Sequence, residues 1–186
     1  MNAIIDSLSE RNAAFASERF STDLKLMPSK KTMIIGCVDP RVDPLDIFGL
    51  APGEAAILRN VGGRADPATL RSLGLLRAVV KSRSGGAGDI AHGWNLIVLH
   101  HTDCGIADCQ LHAPDMLAKH MAVAADGLDA LAFGDPHRAV KSDIAALQAN
   151  PQAPAGLTVT GMVYDVASGK VEIVVPPVVL SAQSVA

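Results

Sequence analysis

Apolar positions along the chain switch repeatedly between helical spacing and short continuous runs. Over the first 20 residues, Ile4, Ile5, Leu8, Ala13, Phe15 and Phe20 recur loosely at helical spacing with charges between them, which predicts a helix. After Met27-Pro28-Ser29 and two lysines, Thr32 to Val38 is a short apolar run, the pattern of a strand buried on both faces. Asp39-Pro40-Arg41-Val42-Asp43-Pro44 cannot continue it, because two prolines remove ladder donors. A second run, Ala55 to Val61, closes on Gly62-Gly63, where backbone can approach a ligand or another chain. Asp66-Pro67 places a capping carboxylate before a proline at the first helical position. It predicts a helix from Ala68 to Lys81 with Leu70, Leu73, Leu75, Leu76 and Val79 as its apolar face.

Ser82 to Gly93 is rich in Gly and Ser and reads as a mobile surface insertion before the strand Asn95 to Leu99. Asp135-Pro136 repeats the capping signal for a helix ending near Asn150-Pro151. Leu157 to Val166 and Lys170 to Val175 are β runs joined through Ser168-Gly169 as a hairpin. Strands alternating with helices predict an α/β fold: a mostly parallel central sheet flanked by helices, with a C-terminal hairpin strand. No repeat or linker divides the chain, so residues 1–186 read as one domain, with 1–25 a helical arm and 82–93 the insertion.

Composition narrows the function classes. Apolar residues make up 49% of the 186 positions and aromatics 3%, so the core must be aliphatic. A formal net charge of -3 argues against nucleic acid as the main partner, because phosphate binding needs a basic face. Asp6, Glu10 and Arg11 interrupt the N-terminal stretch where a signal peptide would be apolar, and no run of about 18 apolar residues spans a membrane. The expectation is a cytoplasmic protein with no membrane contact. Three cysteines are too few for a disulfide scaffold and suit thiol or metal chemistry in a reducing compartment.

Two strand ends carry that chemistry. The first run delivers Cys37, Asp39 and Arg41; the third delivers His100-His101-Thr102-Asp103-Cys104-Gly105. Ligands in open parallel sheets bind beyond the carboxyl ends of strands, so the two segments can converge on one site. Cys37, His101 and Cys104 would then offer two sulfurs and one nitrogen, a set suited to zinc with a fourth position open for water. Zinc lowers the pKa of such a water to about 7. Each segment alone also has a plain structural reading, since a cysteine on a buried strand is commonly a small hydrophobe.

These residues resemble the β-class carbonic anhydrases. Cys37-Val38-Asp39-Pro40-Arg41 is similar to the family's Cys-x-Asp-Ser-Arg, and His101-Thr102-Asp103-Cys104-Gly105 to its His-x-x-Cys-Gly. The likeness continues through Gly53 to Asn60 and into Gly161 to Val166 with Gly169. The resemblance implies one zinc per chain on Cys37, His101 and Cys104, with Asp39 and Arg41 as a catalytic dyad. It implies attack of zinc-bound hydroxide on carbon dioxide to give bicarbonate and a proton. It also implies a homodimer or higher even oligomer, the amino-terminal helix reaching over its neighbour. In some members the equivalent Asp takes the fourth zinc position and closes the site.

Pro40 departs from the family serine, removing a hydroxyl and an N–H beside the dyad. Relatives that hydrolyse carbonyl sulfide or carbon disulfide on a similar zinc therefore supply an alternative substrate class. A non-catalytic reading has Cys109 completing a closed structural zinc site. A helix starting after Cys104 would instead turn Cys109 away, as a packing thiol. His100 alternates with His101 along a strand, so only one of them faces the metal, and the family spacing selects His101. His92, His112, His120 and His137 read as surface residues, with a proton relay also weighed for His112. Gly62, Gly63 and Gly105 are candidate pocket residues for substrate or product, the glycine pair reading equally well as a tight turn. Arg59 and Asn60 fit a pocket edge or a dimer contact, and Arg64 a solvated surface position, with attraction of an anion also weighed.

Overall fold

The computed structural model describes residues 2–182; Met1 and residues 183–186, at the two ends of the expected domain, lie outside them. Five strands form one sheet in the order β2-β1-β3-β4-β5, with β1 Thr32–Cys37, β2 Ala55–Asn60, β3 Asn95–His101, β4 Thr158–Asp165 and β5 Lys170–Val179. The β1–β2, β1–β3 and β3–β4 pairs are parallel, and β5 returns antiparallel to β4. β5 continues through Pro176-Pro177, past the expected end at Val175. An edge strand tolerates proline because one side of its backbone has no ladder to donate to.

Alternate residues of β1 serve different cores. Met33 and Ile35 join one cluster with Leu96, Val98, Val140, Ile144 and Leu147, while Ile34 joins Val42 and Leu99 in another, with Ile47 and Phe48 of the short helix α2 (Pro44–Phe48) packed against it. Two long helices supply the first cluster, α3 (Pro67–Arg83) through Leu70, Leu73 and Val80, and α6 (Pro136–Ala149). Both begin at the expected Asp-Pro signals: Asp66 accepts from the Thr69 N–H at 2.6 Å, and Asp135 from the His137 and Arg138 N–H groups. Between α3 and β3, Arg77 and Lys81 hold Asp89, and Ile90 is buried.

A third cluster roofs the carboxyl end of β3. It is built from α4 (Ile106–His112), α5 (Pro114–Met121) and the 3-10 turn Ala125–Leu131, around Ile106, Leu117, Met121 and Phe133. The amino-terminal helix α1 (Ala3–Glu18) differs from all of these, because none of its residues is buried. Among the described residues no helix is long and apolar enough to cross a membrane.

Candidate metal centre

The chain runs from β1 to β2 on one side, then crosses through α3 to β3 on the other. That reversal opens a crevice at the carboxyl ends of β1 and β3, where parallel sheets bind ligands. Cys37 ends β1, His101 ends β3, and Cys104 lies three residues further on. Their donor atoms all lie within 4.8 Å of one another, and the Cys37 and Cys104 sulfurs are 3.9 Å apart. A tetrahedral zinc with Zn–S of about 2.3 Å spaces two sulfurs about 3.8 Å apart, so the pair is already at metal spacing. His101 Nδ1 meets the Thr102 carbonyl at 2.8 Å, while its buried Nε2 has no hydrogen-bond partner among the described residues. A buried polar atom without a partner needs an explanation, and a metal ion beside two thiols provides one.

Backbone and charge tune the three donors. The Asp39 and Gly62 N–H groups donate to the Cys37 sulfur at 3.4 and 3.3 Å. The Cys37 thiol is pushed down to about 4, first by the Cys104 hydrogen bond and, against burial, by His101 and those two N–H groups. Cys104 is pushed up, chiefly by its hydrogen bond with Cys37 and also by burial. A divalent cation held by both sulfurs would leave both as thiolates, since a coordinating thiol ionises outright. Burial lowers the His101 imidazole, but Cys37, the Thr102 carbonyl and Asp39 outweigh it and raise it.

Asp39 and Arg41 sit beside this set. The Arg41 Nε and Nη2 donate to the Asp39 carboxylate at 2.8–3.3 Å, and the Arg41 N–H donates to Asp39 Oδ1 at 2.9 Å. The Arg41 guanidinium holds the Asp39 carboxyl down at about 2, overriding partial burial. Pro40 leaves this grip intact, because neither its missing N–H nor a side-chain hydroxyl takes part in it. An open pocket of about 430 Å³ fronts the centre, lined by Asp39, Arg41, His101 and Gly105 and walled by Phe133 and Pro136.

The two glycines lie deeper. Gly62 (φ 86°) backs onto Ile106 and offers its N–H to Cys37, whereas Gly63 (φ 64°) packs on the backbones of β1 and β3. A Cβ on Gly63 would stand 3.0 Å from the Cys37 nitrogen and the Leu99 oxygen. Gly63 does not line the open pocket; it lets the turn Val61–Gly63 lie against both strand ends.

Arg64 corrects the sequence expectation of a solvated side chain: it is 1% exposed. Its guanidinium pairs with Asp143 of α6 at 2.7 Å, lies 4.7 Å from the Phe133 ring centroid and donates to the Leu131 carbonyl. Asp143 also accepts from the Ala65 N–H and meets His100 Nε2 at 3.0 Å. His100 therefore points away from the metal set to the buried pair, and His101 points into it. Arg59 braces the loop after β1, donating to the Cys37 and Asp39 carbonyls at 2.7 Å. Asn60 ties Arg64 to Asp66 and Thr69. Cys109 packs with the Ile106 cluster and stands outside the metal-spaced set. His120 and His137 are half exposed, yet each meets a carboxylate, Asp66 and Glu172 respectively, at 3.1 Å.

Fold and site together define an α/β protein with a Cys₂His metal-type centre at a parallel-sheet switch point. A sequence model of the family described as carbonic anhydrase matches residues 32–132. The crystal structure of carbonic anhydrase from Streptococcus mutans superposes with a TM-score of 0.67 at 33% identity, covering 91% of this chain and 96% of that one. Carbonic anhydrase from Glaciozyma antarctica gives 0.68 at 31% identity, covering 94% and 99%. Beta-carbonic anhydrase 1 of Mycobacterium tuberculosis is 28% identical over 177 residues, 93% of this chain and 99% of that protein. The chain belongs to the β-carbonic anhydrase family, a family of carbonate dehydratases.

Proposed function

We propose that this chain catalyses the reversible hydration of carbon dioxide to bicarbonate and a proton on one zinc ion per chain, held by Cys37, His101 and Cys104. The single observation that carries this is the buried, unpartnered His101 Nε2 facing two sulfurs 3.9 Å apart. Zinc held there supplies Lewis acidity, which makes water a nucleophile at neutral pH. Asp39 stays a carboxylate at that pH because Arg41 holds it at about 2, so it accepts a hydrogen bond from the attacking water and aims its lone pair at the substrate carbon. Arg41 occupies both Asp39 oxygens and keeps them from the metal. Phe133 and Pro136 give a neutral linear molecule an apolar wall, and the pocket opens to solvent, where the proton and the anionic product leave past Gly105. Stopped-flow hydration assays on zinc-loaded protein test the roles: Asp39→Asn retains one zinc per chain and loses about 10- to 100-fold in kcat. An Asp39→Asn enzyme with undiminished kcat would remove Asp39 from the mechanism.

The working unit is a homodimer or a higher even oligomer of single-domain chains in a reducing cytoplasm. Three free thiols, Cys37, Cys104 and Cys109, suit that compartment. α1 leaves Ile4, Ile5 and Leu8 more than half exposed, and a lone helix of this length is marginal in water. An open apolar groove lined by Ala56, Leu58, Leu75, Leu76 and Val79 offers such a helix a seat on a second copy. Light scattering is expected to give an even multiple of the 19.3 kDa chain mass, and Leu75→Asp to lower it. A monomer mass for the unmodified protein would contradict this.

A further inference from the structure

Asp103 is one of a few non-glycine residues with a left-handed backbone among the described residues, at φ 55°. Such a conformation is uncommon for residues with a Cβ, and Asp is among those that tolerate it best. It falls between two members of the metal set, His101 and Cys104, where β3 gives way to the turn before α4. It turns both acceptors of the residue onto one partner. Arg41 Nη1 donates to Asp103 Oδ2 at 2.8 Å, and Arg41 Nη2 donates to the Asp103 carbonyl at 3.0 Å. The other edge of the same guanidinium grips Asp39. Arg41 is thus fixed from both sides: by Asp39 on its own segment, and by Asp103 on the segment that carries His101 and Cys104.

That second tether changes what Arg41 does. Held only by Asp39, two residues away, the guanidinium and carboxylate could swing together as one unit. Tied also to Asp103, Arg41 spans the crevice between the β1 and β3 ends and fixes Asp39 relative to both. The Asp103 side chain is 76% exposed and that of Arg41 is 49% exposed, so the contact adds little to folding stability. A strained backbone at a functional site, with little stability gained from the contact, points to a positional role.

We infer that Asp103 is a positioning residue of the hydration site, clamping Arg41 across the two metal-binding segments so that Arg41 presents Asp39 to the attacking water and keeps it off the metal. This inference rests on the proposed hydration chemistry, and its test separates the two. Asp103→Gly removes the carboxylate, keeps the carbonyl and suits the left-handed backbone; Asp103→Asn keeps the shape and loses the charge. Four quantities are measured on the zinc-loaded full chain: kcat and KM for carbon dioxide, melting temperature, and the Arg41 guanidinium rotation rate by 15N NMR.

For Asp103→Gly the clamp predicts a kcat loss of about 10-fold with KM little changed. Melting temperature is unchanged or raised, because glycine relieves the backbone strain. Rotation about the Arg41 Nε–Cζ bond becomes measurably faster than in the unmodified enzyme, because Nη1 loses its acceptor while Asp39 and the residue 103 carbonyl still hold Nε and Nη2. Asp103→Asn falls between this and the unmodified enzyme. Arg41 rotation as slow in Asp103→Gly as in the unmodified enzyme overturns the clamp, and so does a faster Arg41 with kcat within about 2-fold of the original. A kcat loss accompanied by a matching fall in melting temperature assigns Asp103 a structural role and also overturns it. If the unmodified zinc-loaded protein hydrates no carbon dioxide, the functional reading fails by itself. The NMR comparison then decides the clamp alone: faster Arg41 rotation in Asp103→Gly than in the unmodified protein upholds it, and an unchanged rate refutes it.

Discussion

Cys37→Ser yields a folded protein that binds less than a tenth of a zinc ion per chain and has lost hydration activity by more than about 100-fold, since even residues behind metal ligands typically contribute 10- to 100-fold. The fold survives because serine is close to cysteine in size, and β1 is held by parallel pairing to β2 and β3. The metal does not survive, for three reasons. A serine hydroxyl keeps its proton at neutral pH, whereas the Cys37 thiol is already pushed down to about 4. Its oxygen is shorter in reach and harder than sulfur, which spoils the spacing to Cys104 and the preference for zinc. The Asp39 and Gly62 N–H groups, which converge on the Cys37 sulfur, then face a neutral oxygen. Elemental analysis of purified protein, with circular dichroism to verify the fold, decides the outcome. Full zinc occupancy in Cys37→Ser would show that the metal sits elsewhere.

Asp143→Ala is expected to be the most destabilising single change, at about 3–5 kcal/mol, because removing one partner leaves a buried guanidinium uncompensated. That is a large part of the roughly 5–15 kcal/mol that holds a domain together. Asp143 is the common acceptor for Arg64, the Ala65 N–H and His100, and through them it joins α6 to the turn after β2 and to β3. Burial opposes its ionisation, but His100 and Arg64 outweigh burial and hold the Asp143 carboxyl below its ordinary value. Its stabilising contribution is therefore complete above the unfolded carboxylate's pKa of about 3.9 and is lost as pH falls through the lower folded value. Urea denaturation at neutral pH measures the loss. Pairing Asp143→Ala with Arg64→Met should recover much of it, since an apolar pair has no stranded charge. A loss below about 1 kcal/mol would mean that the pair stabilises nothing.

The sheet was legible in the sequence because its strands are short apolar runs and both long helices start at Asp-Pro. The metal set was legible for a related reason: Cys37 and the His101–Cys104 pair each end or follow a strand whose position the pattern locates. What hid from the sequence depends on partners distant along the chain. Arg64 reads as a surface cation until Asp143, on α6, is known to face it. Arg59 reads as a pocket edge because the carbonyls it braces, those of Cys37 and Asp39, carry no sequence signal. Phe133 and Pro136 are pocket walls because of where the chain returns after α4 and α5, and the alanine-rich stretch between α5 and Phe133 shows no clear period. Asp103 stands in the sequence only as one position of the His-x-x-Cys motif, since a left-handed backbone and a cross-segment contact to Arg41 are properties of the fold.

The central claim is zinc-dependent hydration of carbon dioxide at the Cys37–His101–Cys104 centre. Its most direct measurement is stopped-flow hydration by the same preparation before metal removal with a chelator, after removal, and after zinc is returned. The account predicts activity that disappears with the metal and returns in proportion to zinc, saturating at one ion per chain. Hydration that is absent at full zinc occupancy, or unchanged after the metal has gone, would contradict it.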